Sequence, residues 1–284
     1  GQKSFPERTY KAVCFGDPRP SVDWEQDTRF MRQTVDTSHL FPLVLGGKGL
    51  GFSPVDYDEV FERDPFLGFK IRIPWLGNDY GDERVEDMVG PSEIEAANKH
   101  SLIIMLHVPR SGRLADPEVQ EGVRWLSGEC GNASIVLAHC GRCYLPSEMR
   151  RAIGALPDLE NVYLDTSMVM DPLVLQMVME TVGSERMLFA TDFPVAAMRG
   201  RRVRVAGHWV DVVLEDYPQS GYRVQSNNMR ATFMSVEIAV AIRDAADKAG
   251  ISDAERDAIF HDNGWALLET VDGGDRLDAL NRLR

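Results

Sequence analysis

Along the chain, short apolar segments alternate with longer segments of mixed character. The short ones, over residues 11–16, 40–46, 67–73, 102–108, 134–139, 161–166 and 187–193, are rich in Val, Ile, Leu and Phe. They are nearly continuous apolar runs, the pattern of parallel strands covered on both faces. The longer ones, over 24–37, 57–63, 92–100, 117–129, 147–156 and 172–182, carry apolar residues at helical spacing. Asp116-Pro117 and Asp171-Pro172 each place a capping carboxylate before a proline at the first helical position, and Ser147 reads as a third cap. Two further helices are expected over 228–249 and 253–269.

Strand-helix alternation of this kind builds a parallel sheet, either an open doubly wound sheet or a (β/α)8 barrel. Dinucleotide and P-loop versions of the open sheet lose weight. No Gly-x-Gly-x-x-Gly follows an early strand, and Gly46-Gly47-Lys48-Gly49-Leu50-Gly51 has the spacing of neither phosphate-binding loop, so it reads as a flexible loop. Seven strand units precede the carboxy-terminal helices, one fewer than a closed barrel needs. After residue 193 the pattern changes. A basic cluster, Arg199-Gly200-Arg201-Arg202-Val203-Arg204, leads into a weakly alternating stretch at 207–214, an expected hairpin arm. Residues 195–227 thus read as an insertion after the last barrel strand.

Composition narrows the function. The 284 residues are 44% hydrophobic and 26% charged, enough for one large core, and a single domain over 1–284 is expected. The net charge of -13 disfavours a nucleic-acid partner. No apolar run approaches a membrane span, and residues 1–6 lack a secretory apolar stretch, so no membrane partner is expected. Cys14, Cys130, Cys140 and Cys143 are too few and too irregular for a disulfide framework. The expectation is an acidic cytoplasmic protein. Cys140-Gly141-Arg142-Cys143 follows a strand instead of opening a helix, which argues for packed thiols over a redox pair.

Barrel enzymes keep reactive side chains at the carboxyl ends of their strands. Three apolar runs lead into such residues: 102–106 into His107, 135–138 into His139, and 187–191 into Asp192. Two imidazoles and a carboxylate suit zinc or a similar divalent ion. A lone strand-end His is more often a hydrogen-bonded structural residue, and a lone Asp a turn former; the shared placement of all three gives the set its weight. Arg110 and Arg142 each lie three residues beyond a strand-end His, within reach of a substrate carboxylate or simply solvated in a loop. Lys70 reads as packed or surface, and the methionines of 168–179 as core or subunit interface.

These residues carry a resemblance. Leu106-His107-Val108-Pro109, Ala138-His139-Cys140-Gly141-Arg142, Asn161-Val162-Tyr163-Leu164-Asp165-Thr166-Ser167 and Glu185 through Pro194 resemble the amidohydrolase superfamily, and within it the group that includes aminocarboxymuconate semialdehyde decarboxylase and the pyrone dicarboxylate lactonases. Phe66-Leu67-Gly68-Phe69-Lys70-Ile71 and Asp262 through Leu268 resemble that group's mid-barrel strand and closing helix. The resemblance implies an α/β fold, a (β/α)8 TIM-type barrel, with a divalent metal, zinc above others, at its mouth. It implies His107 and Asp192 as metal ligands, His139 and Asp192 as catalytic proton carriers, and a dimer or other homo-oligomer.

The chain departs from the group's pattern in one respect. The resemblance implies an opening Asp-x-His-x-His strand, and the sequence contains no His-x-His. Asp36-Thr37-Ser38-His39-Leu40 falls at a helix-strand junction and is not its equivalent. Residues 11–16 correspond to the group's second strand, so the first strand is expected to be missing from the sequence in hand. A truncated or incompletely represented chain, or a lineage without the metal site, would each account for this.

The expected function is metal-dependent hydrolysis of a lactone, amide or similar bond in a small carboxylated substrate, with Arg110 and Arg142 binding the substrate. The alternatives are a non-oxidative decarboxylase (a lyase) of the same fold and a metal-free barrel used for binding.

Overall fold

The computed structural model describes residues 5–17, 22–34, 39–47, 56–71, 82–214, 223–225 and 230–282. Residues 36–38 of the rejected Asp-x-x-His segment, 48–51 of the glycine-rich loop and 72–73 of the third expected strand lie outside these. So do 35–37 and 228–229 of two expected helices and 215–222 and 226–227 of the insertion. The chain forms two compact units, residues 1–137 with 265–284, and residues 138–264.

In the first unit β1 (Ala12–Phe15), β2 (Leu40–Gly46), β3 (Gly68–Ile71), β4 (Ile103–Leu106) and β5 (Ser134–Leu137) stand in chain order, each parallel to the next. Nearly every side chain of β2 to β5 is buried, which is why these segments read as unbroken apolar runs. Between them run helices α1 (Trp24–Thr34), α2 (Tyr57–Arg63), α3 (Val85–Met88), α4 (Pro91–Lys99) and α5 (Pro117–Glu129). Helix α5 buries Val119, Gly122, Val123 and Leu126, one stripe at helical spacing, and the Asp116 carboxylate accepts from Glu118 N at 3.0 Å as its cap. Leu106 pairs with both Ile71 and Leu137, so β3, β4 and β5 end level, and His107 emerges at that end. Lys70 is buried in β3, its Nζ 5.0 Å from the Phe15 ring centre.

The second unit opens at the exit of β5 with α6 (His139–Arg142), a single tight turn, followed by α7 (Pro146–Ala152). The Ser147 cap is corrected. The helix starts at Pro146, which has no N–H to satisfy, and Glu148 reaches back to accept from Tyr144 N and Leu145 N at 3.0 and 3.1 Å. Strands β6 (Val162–Asp165) and β7 (Met187–Leu188) pair in parallel. Between them α8 (Pro172–Thr181) starts on the expected Asp171 cap, which accepts from Leu173 N at 3.1 Å. Met168, Met170 and Met179 are buried, the core half of the expectation for this region.

The basic cluster is a strand. In a hairpin, β8 (Gly200–Val205) runs antiparallel to β9 (His208–Val213), and β10 (Arg223–Gln225) pairs with β9. Its turn, Ala206-Gly207, has φ of 50° and 82°, the left-handed pair that matches the twist of a two-residue hairpin. Helix α9 (Met234–Ala249) follows. The single helix expected over 253–269 is instead two, α10 (Asp253–Phe260) and α11 (Asp262–Glu269), broken at His261. Asn263 accounts for the break: its side-chain amide donates to Ser184 O and Met187 O, 2.8 and 2.9 Å away at the entry to β7. No helix among the described residues is long and apolar enough to cross a membrane.

Candidate active site

Backbone strain gathers where the strands exit. Arg110 lies beyond β4, His139, Cys140 and Arg142 beyond β5, Met168 beyond β6 and Asp192 beyond β7, and all have φ between 49° and 64°. Each non-glycine residue there costs roughly 1–2 kcal/mol, so the surrounding contacts must impose the conformation. Arg110, His139, Arg142 and Asp192 are also the residues that the sequence marks on chemical grounds.

The turn after β5 shows how the strain is held. His139, Cys140, Gly141 and Arg142 form four successive left-handed residues, all buried. Asp165, at the last position of β6, anchors them. Its buried Oδ1 accepts from His139 N at 2.8 Å and Ser167 N at 3.0 Å, and also from the Ser167 hydroxyl. Its carbonyl accepts from Cys140 Sγ at 3.3 Å. Burial pushes the Cys140 thiol well up, with the Asp165 charge and Cys143 acting in the same direction, so it is held as a neutral donor.

The same residues define the state of the His139 ring. Nδ1 lies 3.1 Å from Ser167 O and 2.8 Å from Ser167 Oγ. A carbonyl oxygen can only accept, and the single hydroxyl proton of Ser167 goes to Asp165. Nδ1 therefore carries a proton, in a ring only 6% exposed. Thr166 extends the arrangement to the next strand. Its N donates to Leu188 O at 3.0 Å and its Oγ1 accepts from Ala190 N at 3.2 Å.

Those bonds correct the expected strand over 187–193. Phe189 N turns to Ile259 O and Ala190 N to a side chain, so the ladder stops at Leu188. Asp192 lies past the strand end, partly exposed, beside Phe193, which is 74% exposed. His107 follows β4 directly, partly exposed, its N donating to Ile71 O at 3.0 Å. Arg110 is engaged locally, Nε to Asp116 Oδ2 at 2.9 Å and Nη1 to Asp82 O at 3.0 Å. Arg142 is buried in the His139 turn. Thus His139 and Arg142 come together in one turn of the second unit, while His107 and Arg110 belong to the first.

The amidohydrolase family profile matches residues 54–269, most of the chain. The chain belongs to the amidohydrolase family. Solved structures agree on the fold of this family member. An amidohydrolase from Burkholderia multivorans, crystallised with bound HEPES, is 14% identical with a TM-score of 0.57, covering 91% of this chain and 83% of its own. The same protein has been crystallised with bound zinc. The 5-carboxyvanillate decarboxylase of Sphingomonas paucimobilis is 15% identical at a TM-score of 0.54, covering 94% and 81%. A TIM-barrel protein from Bordetella bronchiseptica is 12% identical at 0.51, covering 92% and 78%. The fold is thus of the TIM-barrel type, as expected. No curated protein matches the chain.

The family resemblance implies a divalent metal. Among the described residues no three His, Cys, Asp or Glu side chains are grouped so as to hold an ion. His107, in the first unit, and Asp192, in the second, are the candidate ligands that the resemblance implies.

Sequence reasoning places Asp165, Thr166 and Ser167 in a motif and assigns them no role. The available signal was a run of three polar side chains closing the apolar strand Val162–Leu164.

Proposed function

We propose that this amidohydrolase-family chain hydrolyses a lactone, amide or similar bond in a small carboxylated substrate, with His139 as the general base. The Nδ1–H of His139, donated to Ser167 O, carries this reading, because in the neutral imidazole it makes Nε2 the basic nitrogen. Nε2 takes a proton from water, the oxygen bonds to the carbonyl carbon, and the bond to the leaving group breaks as that group recovers the proton from the imidazolium. Asp192 is proposed as the second proton carrier and Arg142 as the partner of the substrate carboxylate.

A second reading is non-oxidative decarboxylation. Its support is the shared fold with 5-carboxyvanillate decarboxylase, and in it the imidazolium of His139 protonates the carbon that loses CO2.

The test is turnover of a carboxylated lactone, a carboxylated aryl amide and a hydroxybenzoic acid, following acid release and CO2 release separately, for wild type and His139→Gln. Hydrolysis falling at least about 100-fold in the variant is expected. Turnover unaffected by the variant overturns the assignment of the base, and CO2 release alone selects the second reading. Metal content per chain, for wild type, His107→Ala and Asp192→Ala, is measured on the same preparations. Near-stoichiometric zinc lost in both variants would assign those two residues as ligands. No turnover of any kind would favour a barrel used for binding.

A further inference from the structure

The hairpin inserted after the last barrel strand reaches the candidate base through a stack of side chains. The Arg202 guanidinium pairs with Asp211 through two hydrogen bonds, Nε to Oδ1 at 2.7 Å and Nη2 to Oδ2 at 3.0 Å. This pair is almost wholly buried, Arg202 at 10% side-chain exposure and Asp211 at 1%. The guanidinium carbon lies 4.0 Å from the Trp209 ring centre and 4.5 Å from that of Tyr144. Tyr144 meets Trp209 edge-on at 5.4 Å, and its ring lies 6.1 Å from the His139 imidazole. The backbone of Tyr144 is held separately, by Glu148.

A buried ion pair is an expensive way to fill space, because both charges lose water. Here its geometry has a specific consequence. The planar fork fixes the guanidinium, and the guanidinium fixes the Tyr144 ring against His139. Ser167 holds the imidazole at Nδ1, Asp165 holds the His139 backbone N–H, and the Tyr144 ring lies beside the imidazole.

We propose that Arg202 is a positioning residue that acts through Tyr144 to fix the orientation of the His139 ring, and that the β8–β9 hairpin is in this way part of the active-site scaffold. The inference rests on the proposed role of His139 only for its importance to turnover; the positioning itself is measurable without a substrate.

The test uses the full chain and two variants. Arg202→Met/Asp211→Asn removes the pair without leaving a buried charge unpaired. Tyr144→Ala removes the link and leaves the pair intact. Modification of each histidine by diethyl pyrocarbonate is followed by mass spectrometry, with the other five histidines as internal references. The rate at His139 is expected to rise about tenfold in each variant, with the others within twofold, as for one local contact opening. Combining the variants is expected to add nothing, because both break one chain of contacts. Long-range proton–nitrogen spectra should show one His139 tautomer in the wild type and an average of two in the variants.

An unchanged His139 rate and tautomer in Arg202→Met/Asp211→Asn overturns the proposal, and so does an additive combination. If that variant does not fold, Tyr144→Ala decides: an unchanged His139 there overturns the proposal equally. Loss of positioning in a chain whose turnover ignores His139→Gln would leave this inference standing and remove the proposed base.

Discussion

Ser167 O lies 3.1 Å from His139 Nδ1, and because that oxygen can only accept, the backbone itself selects the imidazole tautomer. The Ser167 hydroxyl is then available to Asp165. In Ser167→Ala the tautomer is expected to persist, since the carbonyl remains, while stability falls by about 1 kcal/mol for the lost hydroxyl bond. In Asp165→Ala the His139 and Ser167 N–H groups lose a buried acceptor, and the loss is expected at about 3 kcal/mol. Urea unfolding of both variants, with histidine nitrogen shifts for the first, checks the pair.

The buried Arg202–Asp211 pair predicts an asymmetry in stability. Arg202→Met alone leaves Asp211 charged and enclosed, and is expected to cost about 3–5 kcal/mol. Arg202→Met/Asp211→Asn is expected to cost less than the single change, because the stranded charge is gone. Equal losses in the two unfolding curves would show that the charge on Asp211 is not what matters.

The thiols predict an alkaline limit. Burial pushes Cys14 up to about 11 and Cys130 up to about 12, from an ordinary 9.0, with the Glu129 charge adding to the latter. These pKa values are raised on folding, so the unfolded chain gives up its thiol protons first as pH rises. The contribution to stability is complete below about 9 and is lost as pH rises through 11 to 12. Melting temperature is expected to fall over that interval, less steeply in Cys130→Ala than in wild type. Below pH 9, iodoacetamide is expected to label Cys130 and Cys140 only after denaturation.

Asp116 serves two partners, the start of α5 through Glu118 N and the strained loop beyond β4 through Arg110 Nε. Asp116→Ala is expected to cost about 1–2 kcal/mol, the upper range of a lost cap. Asp116→Asn keeps the cap and should recover most of that loss. Hydrogen exchange at Glu118 N reports the cap directly.

Much of this architecture is legible in the chain itself. Strand positions followed from apolar runs that only a doubly covered parallel sheet explains, and β2, α2 and α5 match their expected limits. Caps at Asp116 and Asp171 followed from Asp-Pro pairs. His139 stands out because a polar residue closing an apolar run sits at a strand exit; the same pattern at Asp192 misleads, because β7 already ends at Leu188. These are local properties, set by the conformational preferences of a few neighbouring residues and by which face of an element water can reach.

The tertiary structure decided what no local pattern encodes. Ending β7 at Leu188 required a carbonyl from Ile259 and a hydroxyl from Thr166. Breaking 253–269 into two helices required the carbonyls of Ser184 and Met187. The basic run forms a strand, because Asp211 and two aromatic rings enclose Arg202. The state of His139 depends on Asp165 and Ser167, 26 and 28 residues away. Hydrogen bonds and desolvation act through space at about 3 Å, so a side chain's chemistry is set by whichever groups the fold brings to it, wherever they lie in the chain.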